Sequence, residues 1–85
     1  MNITLRYFAA LREAVGIGQE SLAVPLDVTT VGAVRELLRA RGGAWAEALA
    51  PERAVRMACN QLMCGPETAL AEGVEVAFFP PVTGG

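Results

Sequence analysis

The sequence predicts a single α+β domain followed by a short extended tail, and three features carry that expectation. Residues 2–8 and 74–79 alternate apolar and polar side chains with the period of a half-buried strand. Between them, Val31, Val34, Leu37 and Leu38 recur at helical spacing. The chain then runs out through Phe78-Phe79-Pro80-Pro81-Val82-Thr83-Gly84-Gly85, where two prolines forbid further strand pairing. At 85 residues there is material for one core, not two. A chain of this size buries roughly 60 to 65% of its unfolded surface, so an apolar residue placed outside is informative. The expected division is a domain over residues 1–80 and a tail over 81–85.

Taken in order, Ile3, Leu5 and Tyr7 share one face of the opening strand, with Asn2, Thr4, Arg6 and Phe8 on the other. Ala9 to Val15 forms a short helical turn, and Gly16-Ile17-Gly18 a loop. A dinucleotide fingerprint is not completed there, because Ser21 stands where the third glycine belongs. Ser21 to Leu26 alternates again and closes a hairpin, with Leu22, Val24 and Leu26 in phase. Asp27, Thr29 or Thr30 caps the main helix, Arg39 and Arg41 occupy its last turn, and Gly42-Gly43 stops it. Ala44 to Leu49 adds a second short helix that presses Trp45 and Leu49 inward and ends at Pro51. A third strand runs from about Arg53 to Cys59, Asn60-Gln61 turns the chain into Leu62-Met63, and Pro66 to Leu70 makes one helical turn. In the last strand Val74, Val76 and Phe78 face one way, and Glu75, Ala77 and Phe79 the other. With the first and last strands adjacent at the centre of a mixed sheet, Phe8 and Phe79 meet on the face the helix leaves open. That pair reads as a docking surface.

Composition excludes several function classes. A formal charge of −2 and seven scattered arginines leave no basic footprint for nucleic acid. No apolar run is long enough for a membrane span, and no secretory signal is visible, which points to the cytoplasm. With no histidine, one aspartate and no lysine, the usual general bases and amine nucleophiles are nearly absent, so the chain carries no catalytic site of its own. Cys59 and Cys64 match neither a redox Cys-x-x-Cys nor a zinc knuckle and read as reduced thiols; no metal or bound cofactor is expected.

What remains is the end of the chain. Gly84 and Gly85 lack side chains, so they pass through a channel too narrow for other residues and present a carboxylate as their only chemistry. Pro80, Pro81, Val82 and Thr83 hold that carboxylate away from the domain. Five or six extended residues reach on the order of 15 to 20 Å. The missing lysines remove the side-chain amines on which an activated terminus would be captured within its own chain, although an arginine-biased genome is the better explanation of their absence.

The order of elements and the ending Phe-Phe-Pro-Pro-Val-Thr-Gly-Gly resemble the ubiquitin-like β-grasp sulfur carriers, and within them the small subunits of molybdopterin synthases. The likeness also takes in Tyr7-Phe8-Ala9, Leu11-Arg12-Glu13 with Val15-Gly16, Trp45 with Ala46 and Ala48-Leu49, Asn60-Gln61 and Glu75-Val76-Ala77-Phe78-Phe79. Cys59 departs from it, since many relatives place an aliphatic residue there. The resemblance implies that an adenylating, ubiquitin-activating-like enzyme consumes ATP to activate Gly85. A sulfur donor, typically a persulfide, then converts it to a thiocarboxylate. The large synthase subunit receives the tail, and the sulfur passes to cyclic pyranopterin monophosphate in molybdenum cofactor biosynthesis. Gly85, with Gly84 beside it, would be the reacting end; Phe8, Met63 and Phe79, together with Pro80, Pro81, Val82 and Thr83, would meet the partner. Arg12 would supply a rim charge or simply lie in solvent. The same ending fits a thiazole-pathway sulfur carrier or a ubiquitin-like protein modifier.

Overall fold

Ile3, Leu5 and Tyr7 are buried along one side of the opening strand, β1 (Asn2–Tyr7), as their alternation requires. The computed structural model describes residues 1–81. After β1 come α1 (Ala9–Val15), β2 (Gln19–Ala23), α2 (Val31–Arg39), α3 (Gly43–Ala48), β3 (Arg56–Cys59), β4 (Leu62–Cys64) and β5 (Glu75–Phe79). The strands form one mixed sheet in the order β2-β1-β5-β3-β4. β1 and β5 lie parallel at its centre, with Leu5 beside Val76 and Tyr7 beside Phe78. The other pairings are antiparallel.

One face of the sheet holds the core. Val31, Val34 and Leu38 of α2 and Leu49 after α3 pack with Ile3, Leu5, Val76 and Phe78. Burying a side chain such as Phe78 contributes about 1.5–3 kcal/mol, and its ring lies near that of Tyr7, centroids 6.4 Å apart. Thr30 caps α2, its hydroxyl accepting from the Ala33 N–H at 3.2 Å. The next free donors of that helix are taken up by a distant loop: Val31 N–H donates to the Thr68 carbonyl (3.0 Å) and Gly32 N–H to that of Pro66 (2.8 Å). A Cβ at position 32 would lie 2.9 Å from that Pro66 oxygen, so glycine is the residue that lets the loop close on the helix.

Four boundaries differ from the sequence expectation. β2 runs from Gln19 to Ala23, Leu26 is 95% exposed, and Val28 takes its place in the core. Pro25 ends the strand because it has no N–H to pair, and the Val28 N–H closes a turn on its carbonyl at 3.0 Å. Gly42-Gly43 does not stop α2, which ends at Ala40 in ordinary right-handed geometry; Gly42, with φ 77°, starts α3. Arg41 therefore lies beyond the helix. β3 begins at Arg56 because residues 50–53 form a turn closed by Arg53 N–H on the Ala50 carbonyl (2.9 Å). Residues 66–70 form a turn and an isolated bridge from Ala69 to Thr30 in place of a helical turn, since their carbonyls serve α2.

Asn60 and Gln61 join β3 to β4 with φ values of 50° and 69°, both left-handed, as a two-residue hairpin of the sheet's twist demands. Asn60 is held by its side-chain oxygen, which accepts from the Glu75 N–H at 3.0 Å. Among the described residues no helix is long and apolar enough to cross a membrane.

Candidate functional site: the open sheet face and the root of the tail

Strand registers decide which side chains share the face opposite α2. Arg6 lies beside Ala77, Ala77 beside Ala58, and Ala58 beside Met63, giving one row across β1, β5, β3 and β4. The two alanines keep the middle of that row low, and Met63 stands exposed at its end. One row further along, Phe79 lies beside Arg56. Phe8, the residue between β1 and α1, turns its ring onto the same face and meets Phe79 edge to face, centroids 6.3 Å apart. Its N–H donates to the Phe78 carbonyl at 3.2 Å, which ties the end of β1 to the end of β5. The expected Phe8–Phe79 pair is thus formed, with Met63 on the same side.

Arg6 organises the polar edge of this patch. Its guanidinium lies 5.1 Å from the Phe8 ring centroid and its Nη1 is 3.5 Å from Glu75 Oε1. Its Nε is buried and has no hydrogen-bond partner among the described residues. Ala9, next to Phe8, carries φ 51°, an unfavourable value for a residue with a Cβ. That kink turns the chain from β1 directly into α1 and leaves Phe8 outside the core.

β5 ends at Phe79, and Pro80 and Pro81 follow, both half-buried. The tail therefore starts beside the aromatic pair. Val82, Thr83, Gly84 and Gly85, the remaining sequence candidates, lie outside the described residues. Arg12 is exposed on α1, and its guanidinium lies against Gly18, where a Cβ would come within 2.9 Å of Nε.

Cys59 and Cys64 lie on the β3–β4 hairpin, Cys59 beside Leu62 and Cys64 beside Met57. Both are free and half-buried, and burial, then the neighbouring Cys64, pushes the Cys59 thiol up from its ordinary value, away from the thiolate that nucleophilic sulfur needs. Among the described residues no cluster of potential metal ligands occurs.

Two polar assemblies behind the patch were not legible in the sequence. The Tyr7 hydroxyl donates to Glu20 Oε2 at 2.9 Å; Arg41 grips both Glu20 oxygens at 2.9 Å and stacks on Trp45, 4.4 Å from the ring centroid. The Arg41 hydrogen bond holds the Glu20 carboxyl below its usual range against the opposing effect of burial, and burial, then the Glu20 bond, raises the Tyr7 phenol. This latch fastens the sheet edge to the α2–α3 corner. Arg35, its pKa lowered chiefly by burial, donates to the carbonyls of Leu49 (2.8 Å), Ala50 (2.6 Å) and Arg53 (3.1 Å) and so fixes the turn before β3.

A mixed sheet on one main helix, with parallel first and last strands at its centre, is the ubiquitin-like β-grasp architecture. A model of the ThiS family matches residues 5–85, and the chain belongs to that family of ubiquitin-like sulfur carriers. It is 41% identical over 83 residues to the molybdopterin synthase sulfur carrier subunit of Escherichia coli and 40% identical over 83 residues to that of Haemophilus influenzae; each comparison covers 98% of this chain and 99% of the relative. It is also 38% identical to small archaeal modifier protein 3 of Haloferax volcanii, covering 100% of both chains. Among solved structures, the Haloferax volcanii HVO 2177 protein superposes with a TM-score of 0.82 at 35% identity, over 100% of this chain and 87% of that one. The fold is shared as well with a chain of the complex of subunits 1 and 2 of the molybdopterin-converting factor from Helicobacter pylori (TM-score 0.69, 21% identity, 100% of both chains).

Proposed function

We propose that this protein is the sulfur carrier subunit of a molybdopterin synthase. The observation that carries the reading is positional: β5 runs out beside the Phe8–Phe79 pair and continues straight into Pro80-Pro81, so docking face and reactive tail share one end of the domain. The relatives named as molybdopterin synthase sulfur carrier subunits, aligned over almost their whole length, support it. In the cycle that follows, an activating enzyme attacks ATP with the Gly85 carboxylate, forming an acyl adenylate and releasing pyrophosphate. Sulfide displaces AMP and leaves a thiocarboxylate directly; a persulfide donor displaces AMP to form an acyl disulfide, whose S–S bond a second thiol cleaves, leaving the thiocarboxylate on Gly85 and a disulfide on the donor side. The synthase large subunit then takes up the tail, and the terminal sulfur is delivered to cyclic pyranopterin monophosphate while Gly85 returns as a carboxylate. Within that cycle this chain binds and positions. Phe8, Met63 and Phe79 supply contact area, since aromatic residues and methionine carry much of the energy of such surfaces. Gly84 and Gly85 let the backbone approach the partner's reaction centre without steric hindrance. ATP is consumed by the activating enzyme and no cofactor resides on the carrier. The cytoplasm, where the two free thiols stay reduced, is the compartment that suits these partners.

Incubation with the matched activating enzyme, ATP and a sulfide source, followed by intact mass measurement, tests the reading. The expected product gains the mass of one sulfur in place of one oxygen on the C-terminal residue; a chain that stays unmodified, or that couples only to other proteins, overturns it. Coupling is the second reading, favoured by the similarity to a small archaeal modifier protein. There the same activated Gly85 would be captured by a partner's lysine in place of sulfur.

A further inference from the structure

The helical side of the same end of the molecule holds a feature that the reading above leaves unused. α1 packs against α3, and between them opens a groove of about 360 Å³. Its walls are Ala10 and Ala14 from α1, Ala44 and Ala48 from α3, and Ala54 ahead of β3, and Pro80 borders it. Alanine at the facing positions of both helices leaves the space open, with Leu11 and Val55 adding apolar lining and Glu47 and Arg53 standing at its edge. The groove is also preformed: Arg35 clamps the carbonyls of Leu49, Ala50 and Arg53 and thereby sets the wall that Arg53 and Ala54 supply. On the rim, Arg53 and Glu47 pair at 3.8 Å with side chains 59% and 79% exposed, a contact weak enough to exchange for another partner.

Gly85 lies four residues beyond Pro81, and four fully extended residues span at most about 14 Å. A protein that encloses Gly85 in its own active site therefore comes within that distance of Pro81, close enough to meet the surfaces around the root of the tail. Two apolar features lie there: the Phe8–Phe79 patch on the open face and the alanine groove on the helical side. We infer that the α1–α3 groove is a second docking site for the tail-receiving protein, which inserts a bulky apolar side chain between the two helices. The domain is then gripped on both sides of the point where its tail departs, which limits rocking and aims the tail. The inference rests on the sulfur-carrier reading for its partner, but names a surface that reading does not require.

The test measures calorimetric affinity of the full chain for the synthase large subunit. Ala14→Glu/Ala44→Glu changes two exposed helical positions, so thermal unfolding should stay close to the parent while affinity falls about ten-fold or more, as for a charge forced into an apolar contact. Ala14→Ser/Ala44→Ser should retain most of the binding. Phe79→Glu on the open face and Ser21→Glu on the far edge strand serve as positive and negative references. Full affinity of the Ala14→Glu/Ala44→Glu protein, with Phe79→Glu impaired, overturns the groove and leaves the carrier reading standing. Full affinity of both variants overturns the carrier reading's docking face together with the groove. Concentration-dependent sedimentation of the isolated chain that the double substitution abolishes would assign the groove to a second copy. Nuclear Overhauser contacts from Val82 to the Ala14 and Ala44 methyls would assign it to the chain's own tail; either result overturns the inference.

Discussion

Phe78 and Phe79 are consecutive, chemically identical, and placed in opposite worlds by the pleat of one strand. Phe78 is fully buried in the core, stacked beside Tyr7; Phe79 is half-buried on the open face, touching Phe8 and bordering the tail. The difference teaches that this small sheet keeps stability and recognition on separate faces. A domain with about 5–15 kcal/mol of stability has little to spare, yet it leaves Phe8 and Met63 largely outside the core.

The strongest way to break that comparison is Phe78→Ala. Removing a fully packed aromatic should cost about 3–5 kcal/mol, lowering the denaturant midpoint sharply or leaving the chain unfolded. Stability retained to within a fraction of that would show that the inner face is not the core. Phe79→Ala is the matched probe. We expect at most about 1 kcal/mol lost in unfolding, but about a ten-fold or larger loss of affinity for the large subunit. Equal effects on folding and binding would erase the division between faces.

A smaller effect sharpens the comparison at the latch behind the sheet. The folded-state pKa of Glu20 is lowered from 4.5, so its contribution is present above that value and is lost as pH falls through the folded pKa. Acid should therefore loosen the parent protein below about pH 4.5, and Glu20→Gln should flatten that part of the stability profile without weakening large-subunit binding at neutral pH. An unchanged acid limb would remove Glu20 from the account. Least of all, Gln61→Gly should raise stability by up to about 1 kcal/mol, because φ 69° suits glycine better; chemical denaturation of the pair measures it. Cys59→Ala/Cys64→Ala should leave sulfur loading of Gly85 intact, and loss of loading with the fold preserved would return a persulfide role to these thiols.

Much of this was legible in advance because it depends on short-range periodicity. A period of two assigned Ile3, Leu5 and Tyr7 inward and Phe79 outward, and helical spacing assigned Val31, Val34 and Leu38 to the core. Misplaced elements share a cause. Leu26 kept the strand period but fell after Pro25, where pairing had stopped, and Gly42-Gly43 read as the stop of the main helix, whereas Gly42 opens the second helix that the sequence placed one residue later, at Ala44. Residues 66–70 carry helical residue types, but their carbonyls are claimed by the start of α2, a partner more than thirty positions away in sequence.

The sequence alone determined the class of fold, the two faces of the central strands and the glycine ending, since each follows from local patterns that any section of the chain displays by itself. Only tertiary structure decided that Arg41 crosses to Glu20 beside Tyr7, that Arg35 clamps the turn before β3, and that α1 and α3 leave an alanine-walled groove next to Pro80. Those contacts join residues far apart along the chain. Their distances depend on how helices and strands pack once water is excluded, which no local period encodes.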